Sequence, residues 1–395
     1  MGSDKPVIIF VFPDCMGGVG SFNRNLINHT ALREQCIIKV ILFKAAEDNR
    51  ERFTDNIQAD EVNHFPYSGF ENQYNVCKRL HAYFGEEAGC IVVDNSLPLN
   101  AVGLFGTNKK VVYLVHDYFY IDWALRYNSV IDAAIAHSSF FCDILTASSP
   151  GAYQKKAHYI PYGVELPSSQ WVKSQNSDHL KLVFLGRLVD EKGIFLLKEI
   201  DNWLQQKKVP VSWTVIGRGP CEAALKEQWQ QNPNISFIQA KDTAHVYQLL
   251  ETQDVLVFPS KFEGTPVAIM EAMSRGVVPV VSDLPGGTRD MVTTETGVRC
   301  EIENVSAYGE AVLSFYNHPQ LLKEKQVSCF TKSLEVYDIQ KAADRYFSFL
   351  FKEAGSPVTK GKVRGMALVS RLDTKRWPNW LVYRLRKLKY QISFR

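Results

Sequence analysis

Short, nearly continuous apolar runs alternate with longer polar, helix-like stretches in this chain, and the alternation occurs twice. In the first half the runs are Val7 to Phe12, Ile37 to Phe43, Ile91 to Val93 and Val111 to Val115. In the second they are Leu182 to Leu185, Ser212 to Ile216, Ile235 to Ile238, Val255 to Phe258 and Val277 to Val281. A strand loses its polar beat when helices cover both faces of its sheet, which is the arrangement of parallel βα sheets. Between the two series, Ile-Pro-Tyr-Gly-Val-Glu-Leu-Pro-Ser-Ser-Gln has the composition of a linker. The expected fold class is α/β, with two doubly wound Rossmann-like domains facing each other across a cleft. The expected division is a first domain over 1–165, a second over 166–337, a closing helix over 338–355 and a tail over 356–395. The closing helix is read from Ile339, Ala342, Ala343, Tyr346, Phe347 and Leu350, which recur at helical spacing.

At 395 residues the chain exceeds what one hydrophobic core normally serves, which agrees with two domains. Its formal charge of +3 is too small to imply a nucleic-acid partner. The charge is uneven, however. Residues 360–395 hold five lysines and six arginines against the single acid Asp373, interleaved with Trp377, Trp380, Leu381, Val382, Tyr383, Leu385, Leu388 and Tyr390. Aromatic and aliphatic groups can enter a headgroup region while cations meet anionic lipid, so this segment is expected to touch an anionic membrane surface. A flexible basic tail, or one docked on the first domain, has the same composition. The eight cysteines lie far apart and form no Cys-x-x-Cys pair, which argues against zinc and redox motifs and fits a reducing compartment. No apolar stretch of about eighteen residues occurs. The expected location is cytoplasmic, with the tail peripheral on the inner face of the membrane.

Chemistry is concentrated where apolar runs end. After the first run comes Pro13-Asp14-Cys15-Met16-Gly17-Gly18-Val19-Gly20, a glycine-rich turn into a helix whose free N–H groups would suit a diphosphate; glycines there also serve tight packing. Gly186-Arg187-Leu188-Val189-Asp190-Glu191-Lys192-Gly193 places two cations in the loop after a buried strand. Arg offers a planar fork of donors and Lys a movable point charge. A solvated loop neutralised by Asp190 and Glu191 would read the same way. Further on, Glu263-Gly264-Thr265-Pro266-Val267 leads into a helix carrying Glu271. The amides of Gly264, Thr265 and Val267 would line the loop, Pro266 suits a first turn, and Glu271 can accept hydrogen bonds from sugar or ribose hydroxyls.

These segments together resemble glycosyltransferase family 4, retaining enzymes of the GT-B architecture. The second half carries the resemblance through Gly186-Arg187 with Lys192, Val215-Ile216-Gly217-Arg218-Gly219-Pro220, the Glu263 and Glu271 pair, and Pro279-Val280-Val281-Ser282-Asp283-Leu284-Pro285-Gly286-Gly287. The first half adds Gly17-Gly18, Val115-His116-Asp117 and Ile160-Pro161-Tyr162-Gly163-Val164, where the family usually has Asn in place of Tyr162. The resemblance implies that the first domain is the acceptor side and the second binds a nucleotide-sugar donor, UDP- or GDP-linked. It implies that Arg187 and Lys192 hold the diphosphate, that Gly17 and Gly18 approach the same phosphates, and that Glu271 binds the ribose. It further implies that Glu263, with Gly264, Thr265, Pro266 and Val267, grips the sugar. His116 is implied to sit by the reacting sugar, with Asp117 orienting it or meeting the acceptor. The catalytic set so implied is Glu263, His116, Arg187 and Lys192.

Fixed cations at the leaving diphosphate can stabilise the transition state without a metal. No Asp-x-Asp motif is present, so no metal and no cofactor beyond the donor is expected. The product would be a glycan or glycolipid of the cell surface, such as a polysaccharide or lipopolysaccharide. Two other functions share the fold: a nucleotide-sugar epimerase, which needs carboxylates placed for elimination and re-addition, and a non-catalytic glycan-binding relative, which needs neither cation. A nicotinamide dehydrogenase is disfavoured because the glycine turn lacks the Gly-x-Gly-x-x-Gly spacing.

Overall fold

The computed structural model describes residues 5–15, 18–52, 56–149, 151–154, 156–167, 179–230, 232–356, 358, 360–363, 368 and 370–393. The chain divides into two compact units. The first comprises residues up to His137, Phe141–Ile160 and Ala342 onward; the second comprises Ser138–Phe140 and Pro161–Lys341.

In chain order the first unit begins β1 (Val7–Pro13), α1 (Gly18–His29), β2 (Ile37–Ala45), β3 (Glu61–Tyr67), α2 (Gln73–His81), β4 (Gly89–Val93) and α3 (Ser96–Phe105). It continues β5 (Lys110–Val115), α4 (Tyr118–Arg126), β6 (Ala133–Ala136), α5 (Ser139–Ser148) and β7 (Ala157–Tyr159). The strands form one sheet in the order β3-β2-β1-β4-β5-β6-β7, every neighbouring pair parallel. Isoleucine, valine and phenylalanine in β1 and β4 are buried throughout, because helices cover both faces of the sheet. The order runs outward from β1 to β3 and then restarts at β4, so the β1–β4 junction is the topological switch point.

The second unit holds β8 (Leu180–Leu185), α6 (Leu196–Gln206), β9 (Val211–Ile216), α7 (Glu222–Gln228), β10 (Ile235–Ile238), α8 (Thr243–Glu251) and β11 (Val255–Phe258). It ends α9 (Val267–Met273), β12 (Val278–Ser282), α10 (Gly287–Met291), β13 (Val298–Cys300), α11 (Val305–Asn317) and α12 (Pro319–Val336). Its sheet order is β10-β9-β8-β11-β12-β13, again parallel, with the switch point between β8 and β11. All nine apolar runs are strands. The sequence reading did not anticipate β3, β6, β7 and β13.

Two segments complete the first unit. In α13 (Ile339–Ala354), Ala342, Ala343, Tyr346, Phe347 and Leu350 are buried, with the Phe347 ring 6.1 Å from that of Phe10 in β1. The helix therefore belongs to the first core from Ala342 on, whereas the sequence boundaries set it apart as an element of its own. The tail also returns to this unit. Lys360 pairs with Thr107 in an isolated antiparallel bridge and its ammonium lies 2.5 Å from Asp132, while α14 (Asn379–Ser393) lies against the start of α2. Among the described residues, no helix is long and apolar enough to cross a membrane.

Candidate functional site

In the second unit three loops converge at the C-terminal ends of β8, β11 and β12, where ligands of open parallel sheets bind. The loop after β8 turns through Asp190–Lys192 into Gly193, whose φ of +65° is left-handed. A Cβ at Gly193 would overlap the Pro259 carbonyl oxygen, so this glycine permits the loop to press against the strand end of β11. The contact is fixed by the Lys261 N–H and the Ser260 hydroxyl, which both donate to the Glu191 carbonyl, at 2.8 and 3.2 Å. The consequence is an ion pair: Lys192 Nζ lies 2.5 Å from Glu263 Oε1, with Glu263 buried and Lys192 a quarter exposed. The same ammonium stands 5.8 Å from the centre of the Phe258 ring.

Arg187, from the same loop, is exposed; its carbonyl accepts the Val189 N–H at 3.0 Å, and among the described residues its guanidinium has neither an ion-pair nor a hydrogen-bond partner. The Gly287 N–H donates to the Gly264 carbonyl at 2.9 Å, and a Cβ on Gly287 would stand 2.9 Å from the Thr265 Cα. The third loop thus rests directly on Thr265, and the buried hydroxyls of Thr265 and Thr288 find no hydrogen-bond partner among the described residues. Pro266 is the N-cap of α9 and supplies no side-chain acceptor to the first turn, which starts at Val267. Glu271, one turn on, is half-buried. Loss of solvent pushes its pKa up to about 7, the Arg275 guanidinium opposes the shift, and Glu165 adds to it.

In the first unit the equivalent position holds different chemistry. His116 follows β5 and is buried, with Nε2 3.8 Å from Asp94 Oδ2 at the end of β4. Asn23 of α1 donates from Nδ2 to the same Asp94 oxygen at 3.5 Å. Rings of Phe22, Tyr120 and His137 surround the imidazole at 5.7, 4.8 and 4.8 Å. His137, after β6, lies with Nδ1 2.5 Å from the Tyr346 hydroxyl of α13, and complete burial holds its pKa well below the usual imidazole value. Asp117 is engaged elsewhere, since its carboxylate accepts the Phe119 N–H at 2.8 Å as the N-cap of α4. Gly18 opens α1, and a Cβ there would meet nothing within 4 Å; Gly17 lies outside the described residues.

The structure therefore joins Lys192 to Glu263 and seats Thr265 beneath Gly287, while Glu271 follows on α9. It places His116 against Asp94 and turns Asp117 to the helix cap. Sequence reasoning missed Asn23, His137, Tyr346 and Gly287 as neighbours of these residues. Asp94 was legible only as an acidic strand end.

The family described as glycosyl transferases group 1 matches residues 168–329, nearly the whole second unit. Across most of the chain the structure superposes on that of Anabaena Alr3699/HepE in complex with UDP and glucose, with a TM-score of 0.68, 16% identity and coverage of 88% of this chain and 100% of the other. The apo lipopolysaccharide outer core galactosyltransferase WaaB gives a TM-score of 0.68 and 16% identity, over 88% of this chain and 99% of the other. The fold is GT-B. In sequence, the "Putative colanic acid biosynthesis glycosyltransferase WcaL" of Escherichia coli (strain K12) is 32% identical over 125 residues, which is 29% of this chain and 30% of the relative. The matched stretch thus spans less than a third of that curated relative.

Proposed function

We propose that this chain is a retaining α-glycosyltransferase of family 4 that moves a sugar from a nucleotide diphosphate donor to a hydroxyl of a glycan or lipid-linked acceptor. The observation that carries the reading is the Lys192–Glu263 pair, 2.5 Å apart at the second switch point, with the exposed Arg187 in the same loop as Lys192. A diphosphate would take the outward charge of Arg187 and share Lys192. Glu263, released in part from the ammonium, would accept sugar hydroxyls, with the Gly264, Thr265 and Val267 amides beside it. Glu271 is assigned the ribose. In the first unit His116, oriented by Asp94, is assigned to the acceptor side.

In the reaction the bond from the sugar's anomeric carbon to the diphosphate oxygen breaks, and its electron pair stays on the phosphate. The acceptor oxygen bonds to that carbon on the same face, and its proton passes to the departing diphosphate. Arg187 and Lys192 stabilise the charge that develops there, a role fixed cations fill without a divalent metal. The HepE complex holds UDP and glucose, which makes UDP the first nucleotide to try. The WcaL relative's name points to colanic acid biosynthesis and WaaB's to lipopolysaccharide, and both favour a cell-surface glycan as product.

The test is thermal stabilisation of the whole chain by UDP, GDP, ADP and dTDP with EDTA present, repeated on Lys192→Ala and Glu271→Ala. A ligand that binds only the native state raises stability by mass action, about 2.7 kcal/mol at a hundredfold excess over Kd. One nucleotide is expected to shift the unfolding midpoint in EDTA and to lose that effect in both variants. A flat response to all four would overturn the donor assignment and leave a non-catalytic glycan-binding protein of this fold. A shift seen only with added metal would overturn the metal-independent mechanism.

A further inference from the structure

The C-terminal helix α14 has two edges of opposite character. Its inner edge is engaged with the first unit. Asn379 Oδ1 accepts the Asn72 N–H at 2.7 Å, and its Nδ2 donates to Glu71 at 3.0 Å. Val382 is 0% exposed, and Arg386 donates to the Glu71 carbonyl and, at 2.8 Å, to Asp373. The segment before the helix is tied down as well, since the Asn72 amide donates to the carbonyls of Thr374 and Trp377 at 2.8 and 2.7 Å. Positions 379, 382 and 386 follow helical spacing, so one stripe of the helix is fully partnered.

The outer edge carries Trp380, Arg384, Lys387 and Leu388, at helical spacing from one another. Trp380 is 62% and Leu388 56% exposed, Trp377 and Leu385 flank them in solvent, and the Arg384 guanidinium stands 5.9 Å from the centre of the Trp380 ring. No acid occurs between residues 379 and 393. Asp373, the acid just before, is buried and bound to Arg386 and the Gln73 N–H. Exposed Arg371, Lys375 and Arg376 extend the same charge into the preceding loop.

We infer that this outer face of α14 lies flat on an anionic lipid surface. Trp377, Trp380, Leu385 and Leu388 enter the headgroup boundary, while Arg384 and Lys387 meet lipid phosphates. Large apolar groups ringed by cations match a surface that is apolar within and negative outside, and α14 at 15 residues is too short to span a bilayer. The fold sharpens the composition-level reading of 360–395, because it removes Lys360, Val382 and Arg386 from the lipid-facing set. The inference goes beyond sugar transfer, and its readout requires no turnover.

The experiment is co-sedimentation of the full chain with vesicles of phosphatidylcholine containing about one third phosphatidylglycerol, against phosphatidylcholine alone. The wild type is expected to pellet with the anionic vesicles and to be released by salt. The pair Arg384→Gln and Lys387→Gln is expected to weaken binding on the order of tenfold or more. The pair Trp380→Ser and Leu388→Ser should lower it about tenfold without moving the unfolding midpoint, since both side chains are exposed in the fold. Wild type that stays in the supernatant, or outer-edge variants that pellet as well as wild type, would overturn the proposal. A concentration-dependent dimer in light scattering, abolished by the same substitutions, would also overturn it and assign the face to a second copy of the chain.

Discussion

The two units share a topology and differ at the one place where it opens to ligands. At the β8–β11 switch point an ammonium and a carboxylate meet near the surface, and the loop that supplies the ammonium also carries the exposed Arg187. Next to the β1–β4 switch point, at the ends of β4 and β5, an imidazole and a carboxylate meet in a buried setting of aromatic rings. A parallel sheet fixes where its strand ends gather and leaves the loop residues to decide the chemistry. The second unit accordingly presents fixed positive charge suited to phosphate, and the first an imidazole shielded from water.

The sharpest way to break this contrast is to disable each switch point separately. Lys192→Ala removes a cation at the proposed leaving group and is expected to cut the transfer rate by about 10²–10³-fold while abolishing nucleotide stabilisation. His116→Ala is expected to lower transfer on the order of 10²-fold and to leave nucleotide stabilisation intact. Steady-state transfer and thermal shift, measured on the same two preparations, read both. If His116→Ala also removed the nucleotide response, the division of labour between the units would be wrong.

The two switch points were also unequally legible in sequence. Lys192 and Glu263 stand 71 positions apart, yet each sits in a contiguous loop after an apolar run, where charged and glycine residues are conspicuous. Of the surroundings of His116 only Tyr120 of α4 is local; the others come from α1, the ends of β4 and β6, and α13, so no local spacing announces Asn23, His137 or Tyr346. The strands divide by the same logic. Central strands buried on both faces are continuous apolar runs, whereas β3 includes exposed Glu61 and Val62 and a proline as an edge strand, and β6 is an alanine-rich run of four. The edge strands β7 and β13 have only three residues each, too few for a periodic signal. The tail's composition is equally consistent with a free arm and a docked helix, and only packing against Glu71 and Asn72 decides between them.

A smaller effect tests the electrostatics of the second switch point. The folded protein holds the Glu271 proton up to about pH 7, whereas the unfolded chain releases it near 4.5. Between those values the native state binds more protons, so this group makes stability fall as pH rises and leaves it level above about 7. Glu271→Gln stays neutral in both states and should flatten that decline, by on the order of 2–3 kcal/mol across the window. Urea unfolding of the two proteins at pH 5 and pH 8 reads the difference. Equal slopes for wild type and variant would mean that the carboxyl is better solvated than its packing implies.

The smallest effect separates His116 from its neighbour in sequence. Asp117 caps α4 through one oxygen, and an asparagine side chain can accept the same Phe119 N–H. Asp117→Asn should therefore preserve stability, and Asp117→Ala should lose about 1 kcal/mol of it, with transfer unchanged in both once the protein is folded. The asparagine variant is the discriminating one, because it keeps the cap and removes only the charge. If it unfolds like wild type and yet shows a raised KM for acceptor, Asp117 has a role beyond the helix, and the buried site at His116 extends outward to a charge the acceptor reads. If both activity and stability persist, the acid after the strand is a folding signal, and the chemistry of the first unit rests on His116 and Asp94.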